Sequence, residues 1–263
     1  MCNRLDVELV NRGLADTRSK AQNMIKSSAV SVNGKVVTKA SFSVNKTDDL
    51  KIIGETLKYV GKGGLKLEKA ISEFNIDLTE KVCVDFGAST GGFTDCMLQH
   101  GAEFVYAVDV GSNQLDRSLI DNAKIKNIEN TNIKDVKKSM FEKGIDFCSV
   151  DLSFISLSHA IPVVCDVLSD DGEAVMLIKP QFEAGKKSLS KKGIVNDRKT
   201  HIKVIENILA LIEQSGMNTL NLTYSPIKGG SGNIEYLVYI KKRKERRPFS
   251  INIKAIVDQG FEL

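Results

Sequence analysis

The first apolar residues of the chain recur at helical spacing: Leu5, Leu9 and Val10 share one face, and Gly13 follows as a stop. Ala21, Met24 and Ile25 repeat the pattern, which predicts a second helix with Thr17 or Ser19 as its N-cap. The period then drops to two. Val30, Val32, Asn33-Gly34 and Val36 read as a hairpin closed by an Asn-Gly turn, and Leu50 to Ile53 as a third strand. A unit of about sixty residues buries only a thin core, so it is expected to lean on a neighbour. From residue 81 onward, apolar runs alternate with helical stretches. Strands are predicted at 82–85, 104–109, near 126–130, and at 147–150, 174–178, 219–224 and 236–240. Repeated β-α units predict an α/β fold, a doubly wound parallel sheet whose ligand crevice lies beyond the carboxyl ends of its strands. The small N-terminal unit is α+β.

Composition narrows the class. The 263 residues are 42% hydrophobic and 27% charged, with only 4 prolines, as in a globular protein. The longest uncharged apolar-rich stretch, 152–165, contains His159 and three serines, so no membrane-spanning helix is expected. The start of the chain is too polar for a secretory signal. The five cysteines are scattered and form no Cys-x-x-Cys pair, which reads as a reduced, cytoplasmic protein. His100, His159 and His201 lie at no metal-ligand spacing, so no metal is expected. Charge is uneven: residues 1–60 and 241–263 each carry an excess of four positive charges, against an excess of four negative charges in 61–240. Basic ends around a mildly acidic body fit a polyanionic partner.

Candidate chemistry gathers at the predicted strand ends. A strand ending in Asp85 runs into Gly87-Ala-Ser-Thr-Gly91-Gly92, and the next strand ends in Asp109. Glycines let a ligand approach the backbone, and an acid at the second strand end can take ribose hydroxyls, so a nucleotide-type cofactor is expected. The spacing differs from the G-x-G-x-x-G of dinucleotide dehydrogenases. Asp151 follows the 147–150 strand and Lys179 follows the 174–178 strand. Glu235 opens the last strand and reaches the same edge if that strand is antiparallel. Lys66 starts a helix before the first strand. Two lysines and two acids are thus placed to converge on one point.

These residues carry several resemblances. The Asp85-x-Gly87 start resembles the S-adenosylmethionine loop of class I (Rossmann-like) methyltransferases, departing at Ser89, where many have a further glycine. The order Arg4-Leu5-Asp6, Leu9, Gly13, Arg18, Ala21, Ile25 and Val30-Ser-Val-Asn-Gly-Lys35 resembles the S-four RNA-binding domain. That resemblance implies a phosphate-gripping face of Arg4, Arg12, Arg18, Lys20, Lys26 and Lys35. Ser28, Ala29 and Ser31 depart from the pattern, which implies weaker RNA contact at that turn. Lys66, Asp151, Lys179 and Glu235, in that order, resemble the tetrad of FtsJ-like ribose 2′-O-methyltransferases.

Along the chain to about residue 240, the sequence resembles the TlyA family of ribosomal RNA methyltransferases. The motifs are Tyr59-Val-Gly-Lys-Gly-Gly-Leu-Lys66, Asp85-Phe-Gly-Ala-Ser-Thr-Gly-Gly-Phe-Thr-Asp95, Asp151-Leu-Ser-Phe-Ile-Ser156, Lys179-Pro-Gln-Phe-Glu-Ala-Gly185 and Gly232-Asn-Ile-Glu-Tyr236. The resemblance implies an RNA-binding domain at 1–60 and a methyltransferase domain at 61–242; it leaves out the basic tail at 243–263, which reads from its charge as either an RNA-contacting arm or a disordered end. It also implies S-adenosylmethionine held by Asp85, Gly87, Ser89, Gly91, Asp109 and Asn132, with Asn132 at the position that reads adenine. The implied product is a 2′-O-methylated ribose, of a cytidine, in ribosomal RNA within a ribosomal subunit.

A lysine, with an ordinary pKa of about 10.4, is no base in neutral water. A second lysine nearby lowers that value, so Lys66 is expected to act on Lys179. Lys179 then serves as the base or as the holder of the developing alkoxide. The basic loop with Lys186, Lys187, Lys191 and Lys192 reads either as an RNA-guiding flap or as a solvated loop. A non-catalytic ribosome-assembly factor would lack the glycine loop and tetrad. A pore-forming haemolysin, the family's other name, would show a secretion signal or membrane segment.

Overall fold

A computed structural model describes residues 2–15, 17–26, 28–53, 58–242 and 250–263. The N-terminal unit contains β1 (Cys2–Arg4), α1 (Leu5–Asn11), α2 (Arg18–Lys26), β2 (Val30–Val32), β3 (Lys35–Val36), β4 (Ser43–Asn45) and β5 (Leu50–Ile52). Thr17 is the cap of α2: its hydroxyl accepts from the Lys20 amide at 3.2 Å. Strands β3, β2 and β5 form an antiparallel sheet. The β2–β3 turn places Asn33 at φ 51° and Gly34 at φ 79°, the pair of positive values that matches the twist of a two-residue hairpin. Leu5, Leu9, Met24, Ile25, Val30 and Val44 close its core. A second ribbon pairs β1 with β4 and was not predicted. Each of its strands has three residues, and β4 buries one side chain, Val44, too little to register as a period.

The sheet domain runs through α3 (Gly63–Phe74), β6 (Val82–Phe86), α4 (Gly92–Gln99), β7 (Phe104–Val108), α5 (Arg117–Ile120), β8 (Ile125–Ile128) and β9 (Ile145–Val150). It continues with α6 (Ala160–Val167), β10 (Leu168–Ile178), α7 (Pro180–Glu183), α8 (Arg198–Gln214), β11 (Met217–Tyr224), β12 (Tyr236–Lys242) and α9 (Ile253–Phe261). Seven strands lie in the order β11-β12-β10-β9-β6-β7-β8. The five from β10 to β8 are parallel, and β12 is antiparallel to both neighbours. The pleat sends Val84, Phe86, Tyr106, Val150 and Met176 to one face, under α6 and α8. Cys83, Val105, Phe147 and Val175 face the other way, against α3 and α4. Among the described residues no helix is long and apolar enough to cross a membrane.

The expected basic tail is corrected over its second half. Residues 243–249 lie outside the described residues. Beyond them α9 packs against α8 and β11: Val257 is fully buried, and Ile253, Ile256 and Phe261 line the same core. The Asn252 carboxamide caps this helix, accepting from Ala255 N at 3.1 Å. Arg198 on α8 pairs with Asp258 and lies over the Phe261 ring. The sheet domain therefore extends past the predicted boundary at 242.

Candidate active site

Strand ends bring the four predicted ionisable residues together. Asp151 and Lys179 are the first residues beyond β9 and β10. Because β12 runs antiparallel and pairs Tyr236 with Ile178, Glu235 emerges one step further along, on the same edge. Lys66 comes from the first turn of α3. Lys66 Nζ lies 2.7 Å from Glu235 Oε2 and 3.7 Å from Asp151 Oδ2. Lys179 Nζ lies 2.6 Å from Asp151 Oδ1 and donates to Ser153 Oγ at 3.0 Å. Glu235, Lys179 and Lys66 are buried, with Glu235 only 3% exposed. Charges removed from water this far need partners, and here they alternate: acid, lysine, acid, lysine. One expectation is corrected. Asp151 stands between the two ammonium groups, so each lysine faces a carboxylate rather than the other lysine.

The short helix α7 ties this site to its surroundings through contacts that sequence reasoning did not identify. Gln181 Nε2 donates to Glu235 Oε1 at 3.1 Å. Glu183 accepts from Ser156 Oγ at 2.7 Å and from Leu157 N at 2.8 Å, pinning the loop after β9. Phe182 lies against Phe154, with ring centroids 5.1 Å apart. Phe154 stands at φ 63° and is 91% exposed. A bulky residue in the left-handed region is held there at a cost of about 1–2 kcal/mol, and such strain persists only where surrounding contacts enforce it. Gly229 is a further missed residue: a Cβ there would meet Glu235 Oε1 at 2.4 Å. Glu235 was the only signal that could have pointed to it.

Beside the charged cluster, the strand ends open into a 680 Å³ cleft whose lining includes Gly87, Ser89, Asp109, Asn132, Asp151 and Phe154. Its size suits a nucleotide-type cofactor. Gly87 is at φ +85°, and any Cβ there would lie 2.4 Å from the Asp151 carbonyl oxygen. Ser89, the departure from glycine, takes φ 48°. Asp109 accepts from Ser89 N at 2.8 Å and Gly111 N at 2.7 Å, one bond on each oxygen. A carboxylate has about four acceptor positions, so it can still receive two hydroxyls. Asn132 caps the turn at Lys134 N and faces the same cleft.

Two predicted cofactor ligands sit behind this cleft instead. Asp85 is fully buried on the inner sheet face, accepting from Thr94 Oγ1 at 2.7 Å and Ser149 Oγ at 2.9 Å. Burial pushes its carboxyl up to about 6, against the lowering effect of the two hydroxyls. Gly91, at φ +93°, faces Leu115 and Leu119, where a Cβ would collide with both side chains. Both residues shape the loop from behind.

The N-terminal basic residues divide similarly. Arg4 Nε lies 3.0 Å from Asp6 Oδ1, and Arg18 Nε 2.9 Å from Asp6 Oδ2. The Arg4 bond, with help from Gln22 and Arg18, outweighs burial and holds the Asp6 carboxyl well below the usual carboxylate range. Arg12 pairs with Glu8 and donates to the carbonyls of Asp48, Asn45 and Lys46, which fastens α1 to the β4–β5 loop. The expectation that Arg12 grips phosphate is corrected: its donors hold the fold. Arg4 and Arg18 are half exposed beside Asp6. Lys26 and Lys35 are exposed, and Lys20 lines a 400 Å³ cleft facing α4 and α5.

The FtsJ-like methyltransferase model matches residues 59–242, and an S4 domain model matches residues 3–50. The chain belongs to the FtsJ-like methyltransferase family. This methyltransferase is 44% identical over 237 residues to hemolysin A of Brachyspira hyodysenteriae, covering 90% of this chain and 98% of that protein. It is 34% identical over 256 residues to the 16S/23S rRNA (cytidine-2′-O)-methyltransferase TlyA of Mycobacterium tuberculosis, covering 97% of this chain and 94% of that one. A solved hemolysin structure from Streptococcus thermophilus superimposes with a TM-score of 0.79 at 40% identity, over 99% of this chain and 96% of its own. An S-adenosylmethionine-dependent methyltransferase from Mesorhizobium loti shares the fold at a TM-score of 0.50 and 15% identity, over 69% of this chain.

Proposed function

We propose that this FtsJ-like methyltransferase methylates a ribose 2′-hydroxyl of ribosomal RNA, at a cytidine presented within a ribosomal subunit in the cytoplasm. The observation that carries this reading is the alternating row Glu235, Lys66, Asp151 and Lys179 beside a glycine-walled cleft of cofactor size. Gly87, Ser89, Asp109 and Asn132 fit S-adenosylmethionine: glycine clearance for close approach, a carboxylate with spare acceptor positions, and a carboxamide at the rim. When bound, that cofactor supplies an electrophilic methyl group. The protein must then position the hydroxyl and receive its proton. Lys66 and Lys179, fixed by two short carboxylate contacts and a longer one of 3.7 Å, present ammonium groups that orient the hydroxyl and stabilise the developing alkoxide. Asp151, which touches both, keeps them in place, and its less buried carboxylate, facing both clefts, takes the proton that the hydroxyl releases. Orientation supplies about 7–11 kcal/mol of such a barrier, and a placed proton acceptor a further ~10²–10⁴-fold in rate. Exposed Phe154 offers a stacking surface for a base turned toward the site, and Lys26 and Lys35 supply phosphate contacts from the N-terminal unit.

The test is transfer of labelled methyl from S-adenosylmethionine to purified ribosomal subunits, wild type against Lys179→Ala. Label in RNA that falls at least ~10²-fold in the variant, with subunit affinity retained, is the expected result. Wild-type protein that binds subunits but leaves no label in any RNA would establish the assembly-factor alternative.

A further inference from the structure

A second, smaller cleft of 330 Å³ adjoins the charged cluster, sharing Gly87, Ser89 and Asp151 with the larger one. Two short glycine-bearing segments face each other across it: Gly61-Lys62-Gly63 leading into α3, and Lys228-Gly229-Gly230 before β12. Each has one glycine packed where a side chain would not fit. A Cβ on Gly61 would meet Thr90 Oγ1 at 2.8 Å, and one on Gly229 would meet Glu235 Oε1 at 2.4 Å. The second loop is also closed on itself, with Gly229 N bonded to Asn233 O at 2.8 Å and Gly232 N to Gly229 O at 2.7 Å. Each thus delivers one lysine to a fixed place beside the cluster. Lys62 lies one helical turn before Lys66 and so on the same side of α3.

The charges around this cleft do not cancel. Lys66 and Asp151 are committed to each other and to Glu235 and Lys179. Lys62 and Lys228 are exposed, and neither makes an ion pair among the described residues. Asp151 is the only acid in the lining. A glycine-walled recess with two uncommitted ammonium groups suits an anionic oxygen group. In RNA such a group is always at hand: the 3′-phosphate sits on the ribose carbon next to the one that bears the 2′-hydroxyl.

We propose that Lys62 and Lys228 clamp the phosphodiester adjoining the target ribose, seating it in the small cleft while Lys66 and Lys179 hold the neighbouring 2′-hydroxyl. This rests on the methyltransferase reading above. It gives the clamp a chemical purpose, since a ribose held at both its hydroxyl and its phosphate has little rotational freedom left. The same anion chemistry has one other source, the carboxylate of the cofactor's methionine end.

The experiment compares wild type with Lys62→Ala, Lys228→Ala and the double variant, using ribosomal subunits from cells lacking this gene. Subunit affinity is measured between about 50 and 200 mM salt, where each lost phosphate contact lowers the slope of log affinity against log salt by about 1. That amounts to about threefold in affinity per lysine across the range. Each single variant should show the shallower slope and a higher KM for subunits, with the S-adenosylmethionine Kd unchanged by calorimetry. Lys62→Arg and Lys228→Arg should restore the slope, which separates charge from folding. A weakened S-adenosylmethionine Kd with unchanged subunit binding would overturn the proposal in favour of the cofactor carboxylate. No change in either would reduce both lysines to solvated surface. If wild type transfers no methyl to RNA, the methyltransferase reading fails, but the salt slopes can still be read.

Discussion

Both halves of the molecule bury a carboxylate completely, and they treat it in opposite ways. In the N-terminal unit Asp6 receives hydrogen bonds from Arg4, Arg18 and Gln22 and is held ionised far into acid. In the sheet, Asp85 receives hydrogen bonds from Thr94 and Ser149 rather than from a cation, and burial pushes it up to about 6. The contrast shows that burial alone sets neither charge nor role; the partner does. It also explains where cations remain available for a ligand. The arginines of the small unit are drawn inward by Asp6 and Glu8 and stabilise a thin core. The lysines of the sheet domain are held by acids at an open strand edge, where two clefts meet.

The largest expected effect is the loss of transfer in Lys179→Ala. Arg18→Ala, which removes a cation from the other half, should leave turnover intact and lower only stability. Next comes Asp85→Asn. The raised carboxyl favours the fold fully below about pH 4, and that contribution is lost as pH rises through 6, so the ionised group costs about 3 kcal/mol at neutral pH. The asparagine can still bond both hydroxyls. Its stability by denaturant titration should match wild type at pH 4 and exceed it by up to about 3 kcal/mol at pH 7.5; equal values at both would remove the burial argument. Asp6→Asn should do the reverse. The lowered Asp6 carboxyl stabilises the fold above the ordinary carboxylate range, and that stability is lost as pH falls. The half-exposed arginines screen the pair, so the expected loss at neutral pH is about 2 kcal/mol rather than the 3–5 of a fully buried bridge. Measured against pH, that loss should shrink towards zero in acid.

The same contrast explains what could be read from the sequence. Periodicity located both early helices, the Asn-Gly hairpin and the parallel strands, because each buries a regular set of apolar residues. The charged cluster was legible because parallel strands must deliver the residues after their carboxyl ends to one edge. The fate of the arginines was not, although Glu8 and Arg12 stand at the i, i+4 spacing that forms pairs on a helix. Asp85 was misplaced because strand alternation, not the motif, decides which face it takes. Ile253, Ile256, Val257 and Phe261 carry a helical period, but nine residues beyond a basic run are too short a segment to distinguish a packed helix from a charged tail. Gln181 and Glu183 depended on which loops meet α7 in space, and no spacing along the chain encodes that.

Glu183 allows the smallest and most selective of these tests. It is the sheet domain's counterpart of Glu8, a carboxylate that fastens a loop, but its loop carries Phe154 rather than part of a core. Glu183→Gln keeps a carbonyl for Leu157 N and an amide that can donate to Ser156 Oγ, losing only the charge assistance. A loss of about 1 kcal/mol is expected at the loop, of the same order as the strain that keeps Phe154 in the left-handed region. Phe154 is then free to fold back, and the cost should fall on RNA rather than on cofactor. The expected result is a KM for ribosomal subunits raised about fivefold, as about 1 kcal/mol implies, with S-adenosylmethionine Kd and turnover at saturating RNA unchanged. A Glu183→Gln enzyme that loses cofactor affinity instead would mean that the loop shapes the larger cleft and that Phe154 is exposed for another reason.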